Sequence, residues 1–483
     1  MLRYARALTP TLCAVLTVLM PACATDQGRD VEEYRTVSDP PGPLPRHARG
    51  EALSLVDALR MTAAHNEQLA AQGERYVQAL ADRQQAAAAL KPTFDIFAET
   101  SLLENTGSRG VVQTDLGMST QYRFLTGLGD SRNIDAAEAR ARSERWLILD
   151  LRETLLLQTA RAYYAAILAE RLTAVLESSV RAQLDRLDDA RARNAVGFAR
   201  PLDVAQIEAQ VSRTRTGLIS AESQSREARA NLGLLANADV AESVLTDGFD
   251  PPADDRPLQD LLAIAQRHRQ DIISARNNAA AARALVEAAI GQYAPGITLN
   301  LDYFLAQIPD DSAANVAGLI QLRVPLFSAG RIEADIRAAW SVFRERVLDY
   351  RLRMREVQRD VETAVLQLGA ARARVDELRT QVRVARETLE LAEASYQAGL
   401  GTNLERTSAQ DQLLTAELDA TIEEFNTRTG TLTLLRACGL LSGETIQTAL
   451  PPTSPADMIL PDAPLLDRAR DGAPLPTFGG RTP

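Results

Sequence analysis

The chain has 483 residues with 26 glycines, 22 prolines and only 5% aromatics, and Ala, Leu, Arg, Glu and Gln dominate it. That is the composition of long helices or coiled coils, not of a large compact α/β enzyme. A net charge of -11 argues against a nucleic-acid partner, which would call for a basic surface.

Residues 1–22 read as a secretory signal, with Arg3 and Arg6 before an apolar stretch from Leu12 to Met20 that is too short to span a bilayer. Leu19-Met20-Pro21-Ala22-Cys23 resembles a bacterial lipoprotein box, which makes Cys23 a candidate lipid anchor. Pro21 is atypical there, and ordinary cleavage near Ala22 is the other reading. Cys438 sits among Leu434, Leu435, Leu440 and Leu441 and reads as a buried free thiol. Residues 23–50 carry Pro40, Pro41, Pro43 and Pro45 and read as extended chain. After the signal, no apolar run is long enough for a transmembrane helix, so an exported chain of this kind is periplasmic or enters a membrane as β-strands.

The rest reads as two copies of one plan, 51–240 and 255–442. Asp57, His65, Leu69 and Pro92 recur as Asp260, His268, Ile272 and Pro295. Gly197, Leu202, Asp203 and Gln210 recur as Gly399, Leu404, Glu405 and Gln412. Each copy opens with a predicted helix, 53–90 and 258–293, which proline ends. Period-2 alternation then predicts strands at 93–103 and 112–125, and at 297–308 and 316–327. Asp95, Glu99, Asp115 and Asp302 fall on the polar face, Phe94, Tyr122 and Tyr303 on the apolar one. Strands of this length suit tilted membrane crossings of about 9–11 residues, although soluble hairpins carry the same alternation.

A very long helix follows each hairpin. Residues 131–196 hold neither Gly nor Pro. They could run as one helix for roughly 100 Å. The matching stretch of the second copy, 331–398, has one interior glycine, Gly369. Tips at 197–201 (Gly197, Phe198) and 399–403 (Gly399, Leu400, Gly401) turn the chain into a returning helix. Residues 443–483 read as a Pro-rich tail. Four strands cannot close a barrel, and an open sheet edge in lipid is costly, so membrane strands here demand several chains.

Arg323-Val324-Pro325-Leu326-Phe327-Ser328-Ala329-Gly330-Arg331 resembles the strand-to-helix signature of TolC-like outer-membrane efflux proteins, notably Pro325, Leu326, Phe327 and Gly330. Tyr396-Gln397-Ala398-Gly399 with Leu404 and Gln412, and Val196-Gly197 with Leu202-Asp203-Val204, are similar to that family's two tips. The resemblance implies a mainly α protein with a membrane β-barrel: a homotrimer whose 12-stranded barrel is continued by a periplasmic α-helical barrel. It implies outer-membrane lipid, a periplasmic adaptor and an inner-membrane pump as partners, and passive export of the pump's substrates. It places Asp203 and Glu405 in a periplasmic gate ring, Asp95, Glu99, Asp115 and Asp302 in the barrel lumen, and the tip glycines with Phe198 and Leu400 against the adaptor. First-turn acids also stabilise helix N-termini, and both roles stay open for Asp203 and Glu405. The family's basic latch near the second tip would align with Gly401; Arg200 and Arg406 are the nearby substitutes.

No enzyme, cofactor or metal reading competes. His47, His65 and His268 lack ligand-like spacing, and Gly127-Leu128-Gly129 and Gly399-Leu400-Gly401 lack the third glycine of a phosphate loop. The alternative to a duct is a periplasmic coiled-coil adaptor or structural protein without a channel.

Overall fold

The computed structural model describes residues 27–38, 51–103, 111–127, 129–246, 256–308 and 315–441. The signal segment, Cys23, Pro40 to Pro45, His47, the two strand turns 104–110 and 309–314, and the tail 443–483 lie outside the described residues.

The segment expected to be extended between 23 and 50 contains a helix, α1 (Gln27–Ser38). Val31, Tyr34 and Val37 recur at helical spacing and pack on Leu69, Ile148 and Leu155, so burial of one apolar stripe fixes the helix. Gly73 makes room, because a Cβ there would run into the Tyr34 ring.

Each opening helix is in fact two. In the first copy these are α2 (Leu55–His65) and α3 (Glu67–Ala88). The break is Asn66, whose ψ of 124° is extended; its N–H closes α2 on Thr62 O while its side chain accepts from Gln68 N and caps α3. A short strand β1 (Ala52–Ser54) precedes α2 and pairs in parallel with β4 (Val244–Thr246). The second copy breaks at Arg269 between α6 (Leu258–His268) and α7 (Gln270–Gly291). His65 and His268 are the last residues of their helices. Apolar periodicity runs through both breaks, which is why the sequence reads as continuous helix.

The four longer strands are β2 (Thr93–Leu103), β3 (Val111–Thr126), β5 (Gly296–Ile308) and β6 (Val316–Arg323). They form one antiparallel sheet in the order β2-β3-β5-β6, leaving β2 and β6 as edges. The last strand stops short of its expected end at 327. Arg323 pairs with Gly296, the first residue of β5, and Pro325 has no N–H to extend a ladder.

From the sheet run two helical hairpins. α4 (Gly129–Ala195) and α8 (Arg331–Gln397) each have 67 residues and return through α5 (Pro201–Ala236) and α9 (Asn403–Ala437). The main core joins both copies near the middle of the long helices. Tyr163, Tyr164 and Leu156 of α4 meet Leu59, Leu232, Phe425 and Leu432 there. The Tyr163 hydroxyl lies 2.7 Å from Leu53 O and 2.8 Å from Thr246 O, pinning β1 and β4 to α4. Cys438 is buried in a second cluster with Leu261, Val357 and Leu434.

Candidate functional site

Three regions of the fold carry candidate residues. At the first tip, Gly197 (φ 82°) reverses the chain and Phe198 stands 85% exposed. Arg200 is the N-cap of α5 and Pro201 its first residue, a position that suits proline because it needs no N–H. Asp203 closes back on this cap. Arg200 Nε donates to Oδ2 at 3.1 Å and Nη2 to Oδ1 at 2.8 Å, and the Arg200 N–H also donates to Oδ2. The guanidinium hydrogen bonds hold the Asp203 carboxyl below the usual carboxylate range, against a smaller upward push from burial.

At the second tip, Gly399 (φ 73°) and Gly401 flank Leu400, which is 88% exposed. Glu405 accepts from the Thr402 N–H at 2.8 Å while Thr402 Oγ1 accepts from Glu405 N. This is a reciprocal capping box. Both gate candidates therefore engage their own helix N-termini. Of the two basic substitutes, Arg200 clamps Asp203. Arg406 is buried, donates to Asn403 Oδ1 at 3.0 Å and stacks its guanidinium 4.2 Å from the Tyr396 ring centre. Such stacking sets the cation against the negative face of the ring.

The two hairpins also bind each other above the tips. Arg186 Nη2 lies 3.3 Å from Glu393 Oε2, and Arg193 lies 5.8 Å from the Tyr396 ring centre. Gln210 Nε2 donates to Asp411 Oδ1 across a groove of about 1020 Å³ lined mostly by uncharged polar side chains such as Gln206, Gln381, Thr407 and Gln412.

In the sheet, the register brings the four predicted acids to one face. Asp95, Ser119 and Asp302 stand in one row, Glu99 and Asp115 in another. Between them Phe97 and Phe304 meet edge to face with ring centres 5.9 Å apart. They lie over Gly117, where a Cβ would strike the Phe97 ring. Two aromatics in the geometry that ring pairs prefer thus share the face read from sequence as polar. Phe94, Ile96, Met118 and Tyr303 take the opposite face, and Tyr122 packs its ring 4.4 Å from Phe124. Beyond β6, Pro325 leads to Leu326 and Phe327, which are almost fully exposed, and Gly330 (φ 81°) caps α8.

A further cluster has no local sequence signal, because its members come from distant parts of the chain. Glu153 of α4 is 5% exposed and accepts from Gln270 Nε2 of α7. Arg436, on the last turn of α9, donates to Asp150 Oδ1 at 2.6 Å and Thr154 Oγ1 at 3.0 Å, and lies 3.6 Å from Glu153 Oε2. Arg269 chelates Asp271, which also faces Arg353, and reaches toward Asp360 of α8. Burial pushes the Glu153 carboxyl up to about 8, only partly opposed by Arg436 and Gln270. The described residues of these regions hold no nucleophile–base pair, and no cluster with metal-ligand character exists among the described residues.

An open antiparallel sheet of amphipathic strands thus continues into two helical hairpins, each built on a 67-residue helix. The chain matches the outer membrane efflux protein family over residues 58–238 and 261–439, and it belongs to that family. It is 24% identical over 339 residues to outer membrane efflux protein BepC of Brucella suis biovar 1 (strain 1330), covering 68% of this chain and 73% of BepC. It is 22% identical over 324 residues to outer membrane protein TolC of Vibrio cholerae serotype O1, covering 65% and 74%. Its fold superposes on the outer membrane protein VceC of Vibrio cholerae with a TM-score of 0.73 at 20% identity, covering 80% of this chain and 96% of VceC. The outer membrane channel MtrE of Neisseria gonorrhoeae, solved in its open state, gives 0.71 at 18% identity, covering 80% and 89%.

Proposed function

We propose that this chain is one subunit of an outer-membrane exit duct, in which three copies close a barrel of twelve strands above a hollow bundle of long helices. The observation that carries the reading is the sheet with two free edges in a family of outer membrane efflux proteins. Each unpaired backbone group in lipid is unfavourable by several kcal/mol, so β2 of one copy must find β6 of another. The face bearing Asp95, Glu99, Asp115 and Asp302 then lines water, and the face bearing Phe94 and Tyr303 meets lipid or the subunit seam.

Conduction is passive: substrates enter from an inner-membrane pump through a periplasmic adaptor that meets the tips at Gly197, Phe198, Gly399, Leu400 and Gly401. Asp203 and Glu405 crowd carboxylates at the periplasmic entrance, attracting cations and resisting closure except where a base such as Arg200 neutralises them. Cys23, a few residues before α1, is the lipid anchor. The alternative, a periplasmic adaptor without a channel, leaves the open sheet edges and the family membership unexplained.

Planar-bilayer conductance tests the duct. Asp203→Ala combined with Glu405→Ala should raise single-channel conductance or weaken block by divalent cations. Unchanged conductance and block would remove both residues from the gate, and absence of any channel from the native protein would remove the duct.

A further inference from the structure

Two phenyl rings stand on the polar face of the sheet. On β2, Phe97 interrupts Thr93, Asp95 and Glu99; on β5, Phe304 follows Thr298, Asn300 and Asp302.

Two features of the backbone bring these rings together. Gly117 of β3 pairs with Phe97 on one side and Phe304 on the other, so the three residues form one row across β2, β3 and β5. A Cβ at Gly117 would lie 2.7 Å from Phe97 Cζ, so the missing side chain is what lets that ring lie across the row. The β3–β5 register also shifts between Leu116 and Gly117. Leu116 pairs with Ala306, and an unshifted ladder would set Leu305 opposite Gly117; the shift sets Phe304 there instead. Bulges of this kind re-aim side chains and recur beside functional sites. The outcome is an edge-to-face contact, with 5.9 Å between ring centres and 89° between planes, in which both rings are half-buried. In such a pair the ring that offers its edge keeps its own faces off its partner.

The rows on either side are acidic. Asp95 and Asp302 share one, with Ser119 between them, and Glu99 and Asp115 share the other. Same-face neighbours along a strand lie roughly 7 Å apart, so a carboxylate level stands on each side of the rings. Among the described residues, no arginine or lysine occupies these three rows; on β3 the first on that face is Arg123, three rows from the rings.

A π surface between two carboxylate levels matches one class of ligand, an organic cation with an apolar body. The carboxylates and the ring faces both draw the charge, and the apolar part covers the rings. A hydrated inorganic cation would use only the carboxylates, and an anion would be repelled.

We propose that Phe97 and Phe304, with Asp95, Asp302, Glu99 and Asp115, form a weak binding band for organic cations that move along this face. The band rests on the duct reading above, in which the face lines water and each copy repeats the band around the wall. Weak binding suits conduction, which needs a site that a solute can enter and leave.

The test is block of single-channel current through the full-length protein in a planar bilayer. Benzyltrimethylammonium is the probe and benzenesulfonate its anionic counterpart. The native channel should be blocked by the first and not by the second. Phe97→Leu with Phe304→Leu keeps apolar cover over Gly117 and removes the π faces. The half-blocking concentration, taken against each channel's own open current, should rise about five- to thirtyfold, the factor for two lost exposed cation–π contacts. A role confined to covering Gly117 would be met by leucine and would leave block unmoved. Equal block in native and leucine channels overturns the band and leaves the duct intact. So does a native channel that the cation does not block, or that benzenesulfonate blocks as strongly. Absence of any channel from the native protein removes the duct and the band together. A second variant guards against a leucine protein that fails to assemble. Asp95→Asn with Asp302→Asn leaves both rings in place and should also raise the half-blocking concentration; unchanged block there overturns the band as well.

Discussion

Arg200 holds the Asp203 carboxylate in a two-pronged grip at 3.1 and 2.8 Å, while the carboxylate of Glu405, its counterpart at the other tip, accepts from the Thr402 backbone N–H at 2.8 Å. The two tips are thus electrically unequal. One carboxylate has a cation in its own cap, and the other is capped by neutral groups.

Arg200→Ala should therefore act on the first tip only. Without the guanidinium, the Asp203 carboxyl rises toward its ordinary range. A depressed carboxyl stabilises the fold above the ordinary carboxylate pKa and loses that contribution as pH falls through its lower folded value. The variant should accordingly lose cation block at a higher pH than the native channel, read from a pH titration of single-channel block. An unshifted titration would show that Asp203 does not face the ions.

Glu153 has the opposite sign. Its carboxyl is raised to about 8, so the folded chain favours the protonated form. That stability is full below the ordinary carboxylate range and is lost as pH rises through about 8. Arg436, Arg269, Asp150 and Gln270 act on it, and Asp271, Asp360 and Arg353 extend the cluster around Arg269. Glu153→Gln keeps the shape and removes the titration. Thermal unfolding across this pH range should show a falling midpoint for native protein and a flat one for the variant.

The tip glycines should separate by mechanism. A Cβ at Gly197 or Gly399 meets nothing within 4 Å, so valine there is opposed only by the positive φ. That local strain is on the order of 1 kcal/mol. At Gly401 a Cβ would lie 3.1 Å from Ser395 Cβ and 3.2 Å from Tyr396 N, so the backbone that carries Tyr396, whose ring Arg406 stacks on, would have to give. Valine at Gly197 or Gly399 should abolish cross-linking to the adaptor and leave the trimer intact. Valine at Gly401 should also disturb the Tyr396 stack, read as altered channel closure.

Gly73→Leu should displace α1, because the Tyr34 ring occupies the space a side chain needs. Limited proteolysis should then cut within 27–38 while the long helices stay protected. Unchanged protection would show that Tyr34 does not anchor the helix.

The strands and hairpins were legible because each repeats a short-range rule: alternation in Ile297, Leu299 and Leu301, and helix-permissive runs between Gly129 and Gly197. Asp203 and Glu405 were read as first-turn acids able to stabilise helix N-termini, and the structure places both in the caps of their helices. The breaks at Asn66 and Arg269 were hidden, since a single extended residue does not interrupt the apolar period. So was α1, whose Val31, Tyr34 and Val37 form only one stripe beside a proline cluster. The Glu153 and Arg436 cluster joins the middle of α4 to the end of α9, which no local pattern can connect. The alignment of Gly401 with a latch position left Arg200 and Arg406 as nearby substitutes, but the stacking of Arg406 on Tyr396 follows from the α8–α9 turn.

The most direct test of the duct is the mass of the detergent-extracted protein from separated membranes. A trimer in the outer-membrane fraction is predicted. A soluble periplasmic monomer or dimer would contradict the duct, leaving the sheet and hairpins as interaction modules on a coiled coil.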